Sequence, residues 1–306
     1  MEGFINLNKP AGPTSHDMVD RVRRLLGQRR VGHGGTLDPL AQGVLPIGVG
    51  RATRLLSFLQ ETEKVYRAQI RLGIRTTTYD AGGAVTAEQP VPPLEPSYLE
   101  QLLSSFEGTI EQIPPPFSAI RRGGQRLYRR ARAGEEVIAP PRQVYIRQLR
   151  LLSWESPYLR LEVTCGSGTY VRSLAHDLGE RLGCGAHLSG LVRLRVGPLR
   201  LEEALTPEAL AEAVAQGRTE VYLLPMDLPL RHWPALELDE QQARDLLDGK
   251  ALSLPGTGGA GQPRARAYGP DGRLLALLRF EPERRCWRPF RVFPPVGHQE
   301  RSPEWK

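Results

Sequence analysis

Cysteine is scarce in this chain: Cys165, Cys184 and Cys286 are the only three among 306 residues. They form no CxxC pair and no zinc-finger spacing, which excludes a disulfide framework or a cysteine metal cluster. An odd set of scattered thiols reads instead as small core residues in a reducing compartment, the cytoplasm. Long apolar runs are missing too, since nothing approaches the ~18 residues that a membrane-crossing helix needs. The opening Met1-Glu2-Gly3-Phe4-Ile5-Asn6 is acidic and then strand-like, unlike a secretory leader. Lysine is almost absent, with only Lys9, Lys64, Lys250 and Lys306, so the basic residues are nearly all arginine.

What is present is a globular composition, 40% hydrophobic and 25% charged, with a net charge of +7. The isoelectric point near 9.6 suits a polyanionic partner, and guanidinium forks match phosphate oxygens. GC-rich codon usage also favours arginine, so charge alone leaves nucleic acid as one reading of two. The length allows one large core and a smaller second domain.

Phe4-Ile5-Asn6-Leu7-Asn8 reads as a strand, stopped by Lys9-Pro10-Ala11-Gly12-Pro13. Thr14 or Ser15 then caps a helix with Met18, Val19, Val22, Leu25 and Leu26 on its apolar face and Asp17 in its first turn. Residues 31–50 are dense in glycine. Strand patterns follow at 65–74, 143–151, 158–165 and 188–196, and helical ones at 97–106 and from Leu174 to Leu182. Six arginines crowd residues 121–132, where two glycines and Tyr128 suggest an element that orders on an RNA backbone. A break at Leu224-Pro225-Met226-Asp227-Leu228-Pro229 divides the chain into expected domains at 1–228 and 229–306, the second small and β-rich with a helix at 239–248.

The segment that draws most notice is Gly32-His33-Gly34-Gly35-Thr36-Leu37-Asp38-Pro39-Leu40-Ala41-Gln42-Gly43-Val44-Leu45-Pro46. On its own, Asp38-Pro39 fits a turn or helix cap as well as it fits a reactive carboxylate. The glycine border is what distinguishes it, because a rigid loop can hold a side chain at a fixed angle.

This segment resembles the signature of the bacterial tRNA pseudouridine-55 synthases, the TruB family. Asn8-Lys9-Pro10-Ala11-Gly12-Pro13-Thr14-Ser15-His16-Asp17 resembles the family's opening motif. Lys64-Val65-Tyr66-Arg67-Ala68, with Leu72-Gly73-Ile74-Arg75-Thr76-Thr77-Thr78-Tyr79-Asp80, resembles the block that carries its stacking tyrosine. Gly168-Thr169-Tyr170-Val171-Arg172-Ser173-Leu174 and Gly183-Cys184-Gly185-Ala186-His187-Leu188 resemble the third and fourth blocks, and all fall in family order across roughly 1–200. Gly34, Thr77 and Ser167 stand where the family more often has threonine, aspartate and lysine.

The resemblance implies an α+β fold: a pseudouridine-synthase domain around a large mixed, mainly antiparallel sheet, followed by a small PUA-like RNA-binding domain. It implies isomerisation of a uridine in the T-arm of tRNA at position 55, with base flipping and without metal, nucleotide or redox cofactor. Asp38 would be the nucleophile or the base that removes a sugar proton, and Arg172 would pair with it, lowering its pKa and aiming it. Tyr66 would stack on the flipped uracil, with Tyr170 and Leu191 lining the base pocket. His33 would fill the gap left by the extruded base, and Asp80 would be a polar partner near the substrate strand. Lys9, before Pro10, would support the loop or contact a phosphate. A monomer with no obligatory protein partner is expected. The rivals are a non-catalytic RNA binder on the same scaffold and a synthase acting on ribosomal RNA or with a guide RNA. The absence of a long basic extension before the first motif disfavours the guide-dependent form.

Overall fold

A computed structural model describes residues 1–116, 121–122, 125–126, 139–254 and 263–294. Most of the arginine-rich stretch 121–132 lies outside the described residues. The chain divides into two compact units, one of Met1 and Ile5–Leu223, the other of Glu2–Phe4 and the chain from Leu224 onward.

The first unit is built on a nine-stranded sheet. In chain order its strands are β1 (Gly3–Lys9), β2 (Val31–His33), β3 (Gln42–Val49) and β4 (Lys64–Leu72), with the short hairpin β5 (Ile74–Thr76) and β6 (Val85–Glu88) outside it. β7 (Gly108–Gln112) comes next, then a second short hairpin of β8 (Arg121–Arg122) and β9 (Gln125–Arg126). The sheet is completed by β10 (Arg142–Glu155), β11 (Tyr158–Cys165), β12 (Ala186–Val196) and β13 (Leu199–Arg200). The order is β1-β3-β12-β4-β11-β10-β7, with β2 on β3 and β13 on β12. β12 runs parallel to β3 and antiparallel to β4, so the sheet is mixed and mainly antiparallel.

Helix α1 (Ser15–Leu26) starts at the expected cap. The Thr14 side chain accepts from the Asp17 backbone N–H, and Asp17 answers to the Thr14 N–H, while Gly27 closes the helix in the left-handed region at φ 59. Its buried face, Met18, Val19 and Val22, packs with Ile5, Leu7, Leu45, Ile47 and Val49. The larger core lies under α3 (Pro96–Ser104) and α4 (Val171–Arg181), where Leu99, Leu103, Leu174 and Leu178 meet Ile70, Leu161 and Val163. The short α2 (Leu56–Glu61) precedes both in the chain.

The second unit has a four-stranded sheet of β14 (Ala235–Glu237), β15 (Arg264–Tyr268), β16 (Leu274–Glu281) and β17 (Cys286–Val292), in that order. One helix, Glu240–Leu247, begins with a capping box of Asp239 and Gln242. Trp287, Leu246 and Leu278 centre its core. This is the small β-rich fold that the tail pattern implied. Cys165, Cys184 and Cys286 are free and buried, and no helix among the described residues is long and apolar enough to cross a membrane.

Candidate active site

Asp38 lies in the loop joining β2 to β3, and that loop is held from both sides. Gly35 (φ 132) and Gly43 (φ 103) take backbone angles that side chains oppose. At Gly43 a Cβ would also come within 2.2 Å of the Arg193 carbonyl oxygen. On one side the Ser15 hydroxyl donates to Leu37 O (3.0 Å) and accepts from Leu37 N (2.8 Å), and Gly12 N donates to Pro39 O at 2.8 Å. Lys9 is fully buried beneath the same loop. Its ammonium donates to Pro10 O (2.8 Å), Pro39 O (3.2 Å) and Ala41 O (2.7 Å). Burial lowers the Lys9 pKa to about 8, with the Asp38 charge opposing the fall. Two of the three hydrogen bonds reach the loop, at Pro39 and Ala41, and the third the neighbouring Pro10, a geometry that suits loop support.

Arg172, at the second position of α4, meets the loop from across the cleft. Its Nε is 2.9 Å from Asp38 Oδ2. Its Nη1 lies 3.3 Å from Asp80 Oδ2 and donates to Thr78 O at 3.2 Å. Asp80 is fixed in turn, accepting from the Thr78 hydroxyl (2.6 Å) and Gly82 N (3.0 Å). Arg172 is 7% exposed at its side chain and Asp38 40%, so the cation is locked while the carboxylate faces the opening. Burial pushes the Asp38 pKa up; Arg172 pulls it down, as the resemblance implied, but Asp80 adds to the upward push. The net direction is upward, because burial outweighs the lowering by Arg172 and a second carboxylate shares the same guanidinium.

Asp38, Asp80, Arg172 and Leu191 line one cleft, with Leu40, Ala41 and Leu188–Gly190 completing it. Tyr66 is on β4 one strand away, cross-strand from Arg193, and packs on the main core. Burial raises the pKa of its phenol, the Arg193 charge opposes that, and the nearby Asp38 charge adds to it. Tyr170 precedes α4 and is not among the cleft-lining residues. Nor is His33, which pairs with Ile47 at the end of β2. The His33 Nδ1 is buried without a hydrogen-bond partner, and burial, with Arg193 and His16 nearby, lowers its pKa and favours neutral imidazole.

Two supporting residues escaped the sequence reading. Gln112, at the end of β7 and 1% exposed, accepts from Tyr170 N (3.0 Å) and donates to Tyr170 O (3.2 Å), holding the start of α4. Arg193, 2% exposed, donates to Val44 O (2.7 Å), Gly35 O (3.0 Å) and Thr36 O (3.5 Å). Arg193 read as one more basic residue on a strand, because the sequence does not show which strand becomes its neighbour.

Solved structures first define the class. The same fold occurs in an H/ACA RNP bound to a substrate RNA containing 2′-deoxyuridine, with TM-score 0.73, 26% identity, and coverage of 96% of this chain and 85% of that one. It recurs in a Cbf5-Nop10-Gar1 complex, with TM-score 0.70, 29% identity and coverage of 90% and 78%. Within that class the chain belongs to the TruB family of pseudouridylate synthases. The profile of the family's N-terminal domain matches residues 23–171, that of the tRNA pseudouridylate synthase B C-terminal domain 172–231, and that of the tRNA pseudouridine synthase II C-terminal domain 233–294. Relatives named tRNA pseudouridine synthase B include one from Dehalococcoides mccartyi, 42% identical over 96% of this chain and 97% of its own. Others are from Moorella thermoacetica, 45% identical with coverage of 92% and 95%, and Synechocystis sp., 49% identical with coverage of 83% and 86%.

Proposed function

We propose that this chain isomerises uridine to pseudouridine at position 55 in the T-loop of tRNA, with Asp38 as its reactive carboxylate. The observation that carries the reading is the Arg172–Asp38 ion pair at 2.9 Å at the mouth of the cleft, in a chain of this family. The reaction breaks the N1–C1′ bond, turns the base over and forms C5–C1′. The proton lost from C5 is balanced by one gained at N1, so no oxidant, reductant or metal is called for. Asp38 either attacks the sugar or removes a sugar proton, and both routes need a carboxylate held close and aimed. The hydrogen bonds on Leu37, Pro39 and Ala41 supply that fixity before substrate arrives.

In this reading Tyr66 stacks on the flipped uracil, and Leu191 and Tyr170 border the base. A neutral His33 stacks in the gap left in the loop, and Asp80 orders Arg172 and the substrate strand. Lys9 acts through the Asp38 loop. The β-rich second unit makes RNA contacts of its own. The chain works as a cytoplasmic monomer without an obligatory protein partner; sedimentation of active protein at assay concentration checks this, and a dimer or larger species overturns it.

The function is tested by incubating an unmodified tRNA transcript with the protein and mapping pseudouridine with carbodiimide chemistry. One modified site, at position 55, is expected. No modification, or modification elsewhere in the transcript, contradicts the reading.

A further inference from the structure

Arg193 is buried to 2% exposure, and its guanidinium hydrogen-bonds to carbonyl oxygens of the catalytic loop: Gly35, Thr36 and Val44. Burying a charge is costly unless its donors are satisfied, and an apolar residue would fill a strand interior more simply. The placement explains why a charge is there. The backbone of Arg193 is flanked by Gly43 on β3 and by Tyr66 on β4. Its side chain then ties both ends of the loop, residues 35–36 and residue 44, while its backbone is in register with that of Tyr66. Both glycines bordering the loop lie against it: a Cβ on Gly35 would be 3.5 Å from its Nη1, and one on Gly43 2.2 Å from its carbonyl oxygen. One residue therefore joins the loop that carries Asp38 to the strand that carries Tyr66.

We propose that Arg193 is a positioning residue for the isomerisation, holding the Asp38 loop and the Tyr66 ring in one fixed relation while the base turns over. The inference rests on the reading of Asp38 and Tyr66 given above. Being buried, Arg193 acts through these two groups and not by touching RNA, so its loss falls on the chemical step. Binding of the stem-loop is left intact.

The test compares wild-type protein with Arg193→Gln and Arg193→Lys, using a T stem-loop carrying tritium at uridine C5. Single-turnover release, the Kd for the stem-loop and amide exchange of residues 35–44 in the free protein are measured together. Misplacement by about 1 Å is worth ~100-fold in rate, so release by Arg193→Gln falls by about 30-fold or more. Arg193→Lys, which keeps the charge but not the fork, recovers part of it. Kd stays within about twofold, and exchange over residues 35–44 quickens by about tenfold while α1 is unchanged. Release within about threefold of wild type in Arg193→Gln overturns the proposal, and so does a rate loss matched by an equal loss in Kd. If Arg193→Gln does not fold, Arg193→Lys decides: release and loop exchange both equal to wild type overturn the proposal, and so does a rate loss matched by an equal loss in Kd. If wild type itself releases no tritium, the functional reading fails; loop exchange still decides the structural claim, unchanged exchange overturning it.

Discussion

At the scale of single residues, the glycines around Asp38 differ in what they permit. Gly34 stands where the family more often has threonine. Here Pro46, Leu56 and Leu59 press on it, with a Cβ meeting them at 3.2–3.4 Å, so the departure follows from packing behind the loop. Gly43 is less forgiving, because its added Cβ would strike the backbone of Arg193 at 2.2 Å and its φ is +103. Gly43→Ala should cost about 3 kcal/mol, combining left-handed strain with overpacking, and urea denaturation measures it. The glycine density that makes the loop rigid was legible in the sequence. The buried cations were only half legible: Lys9 stood out because lysine is so rare, whereas Arg193 was hidden among many arginines.

At the scale of elements, α1 was readable from its Thr14 cap and spacing, and most strands from alternation. The strand pattern expected at 143–151 extends in the structure to Glu155. Its pairing with β11 shifts register at Ile146/Gln148 and Leu151/Ser153, and such bulges break the period-2 signal on which the reading rests. The pattern at 65–74 is cut at Gly73 (φ 85), which separates β4 from β5. The start of α4 depends on a contact distant in sequence. Tyr170 offers no side-chain cap, and Gln112 on β7 binds its backbone instead. Replacing Gln112 by Leu removes both hydrogen bonds that its side chain makes to the Tyr170 backbone, for a loss of about 2 kcal/mol. Because Arg172 is two residues further on, turnover should fall as well, and paired denaturation and turnover measurements check both effects. No local pattern marks Gln112, since its partner is 58 residues away.

At the scale of the whole molecule, the two-part organisation and the mixed sheet were legible, but the strand order was not. Only the insertion of β12 between β3 and β4 brings Leu188 and Leu191 to the cleft beside Asp38, and topology of that kind leaves no local trace. The charge balance also acts at this scale. With a net +7, stem-loop binding should weaken steeply as salt rises, log Kd changing linearly with log salt; a flat response contradicts phosphate-led recognition. Stability carries a separate pH signature from Asp177, which burial raises to about 6, with Arg181 opposing and Glu180 adding. A carboxyl whose pKa is raised on folding stabilises the fold below its unfolded value, and that contribution is lost as pH rises through about 6. Each unit is worth ~1.4 kcal/mol at most, and solvent around a half-buried group reduces the total to about 1 kcal/mol. Asp177→Asn should therefore be more stable than wild type at pH 7 by about that amount and equal to it near pH 4, as urea midpoints at the two pH values would show.

The central claim is that the Asp38 carboxylate, aimed by Arg172, carries out the isomerisation. The most direct measurement is tritium release from uridine C5 of a T stem-loop by wild type and by Asp38→Asn, with binding measured alongside. The account predicts that wild type releases the label, and that Asp38→Asn binds within a few-fold of wild type yet releases it at least ~10³-fold more slowly. Release by Asp38→Asn at the wild-type rate would contradict it.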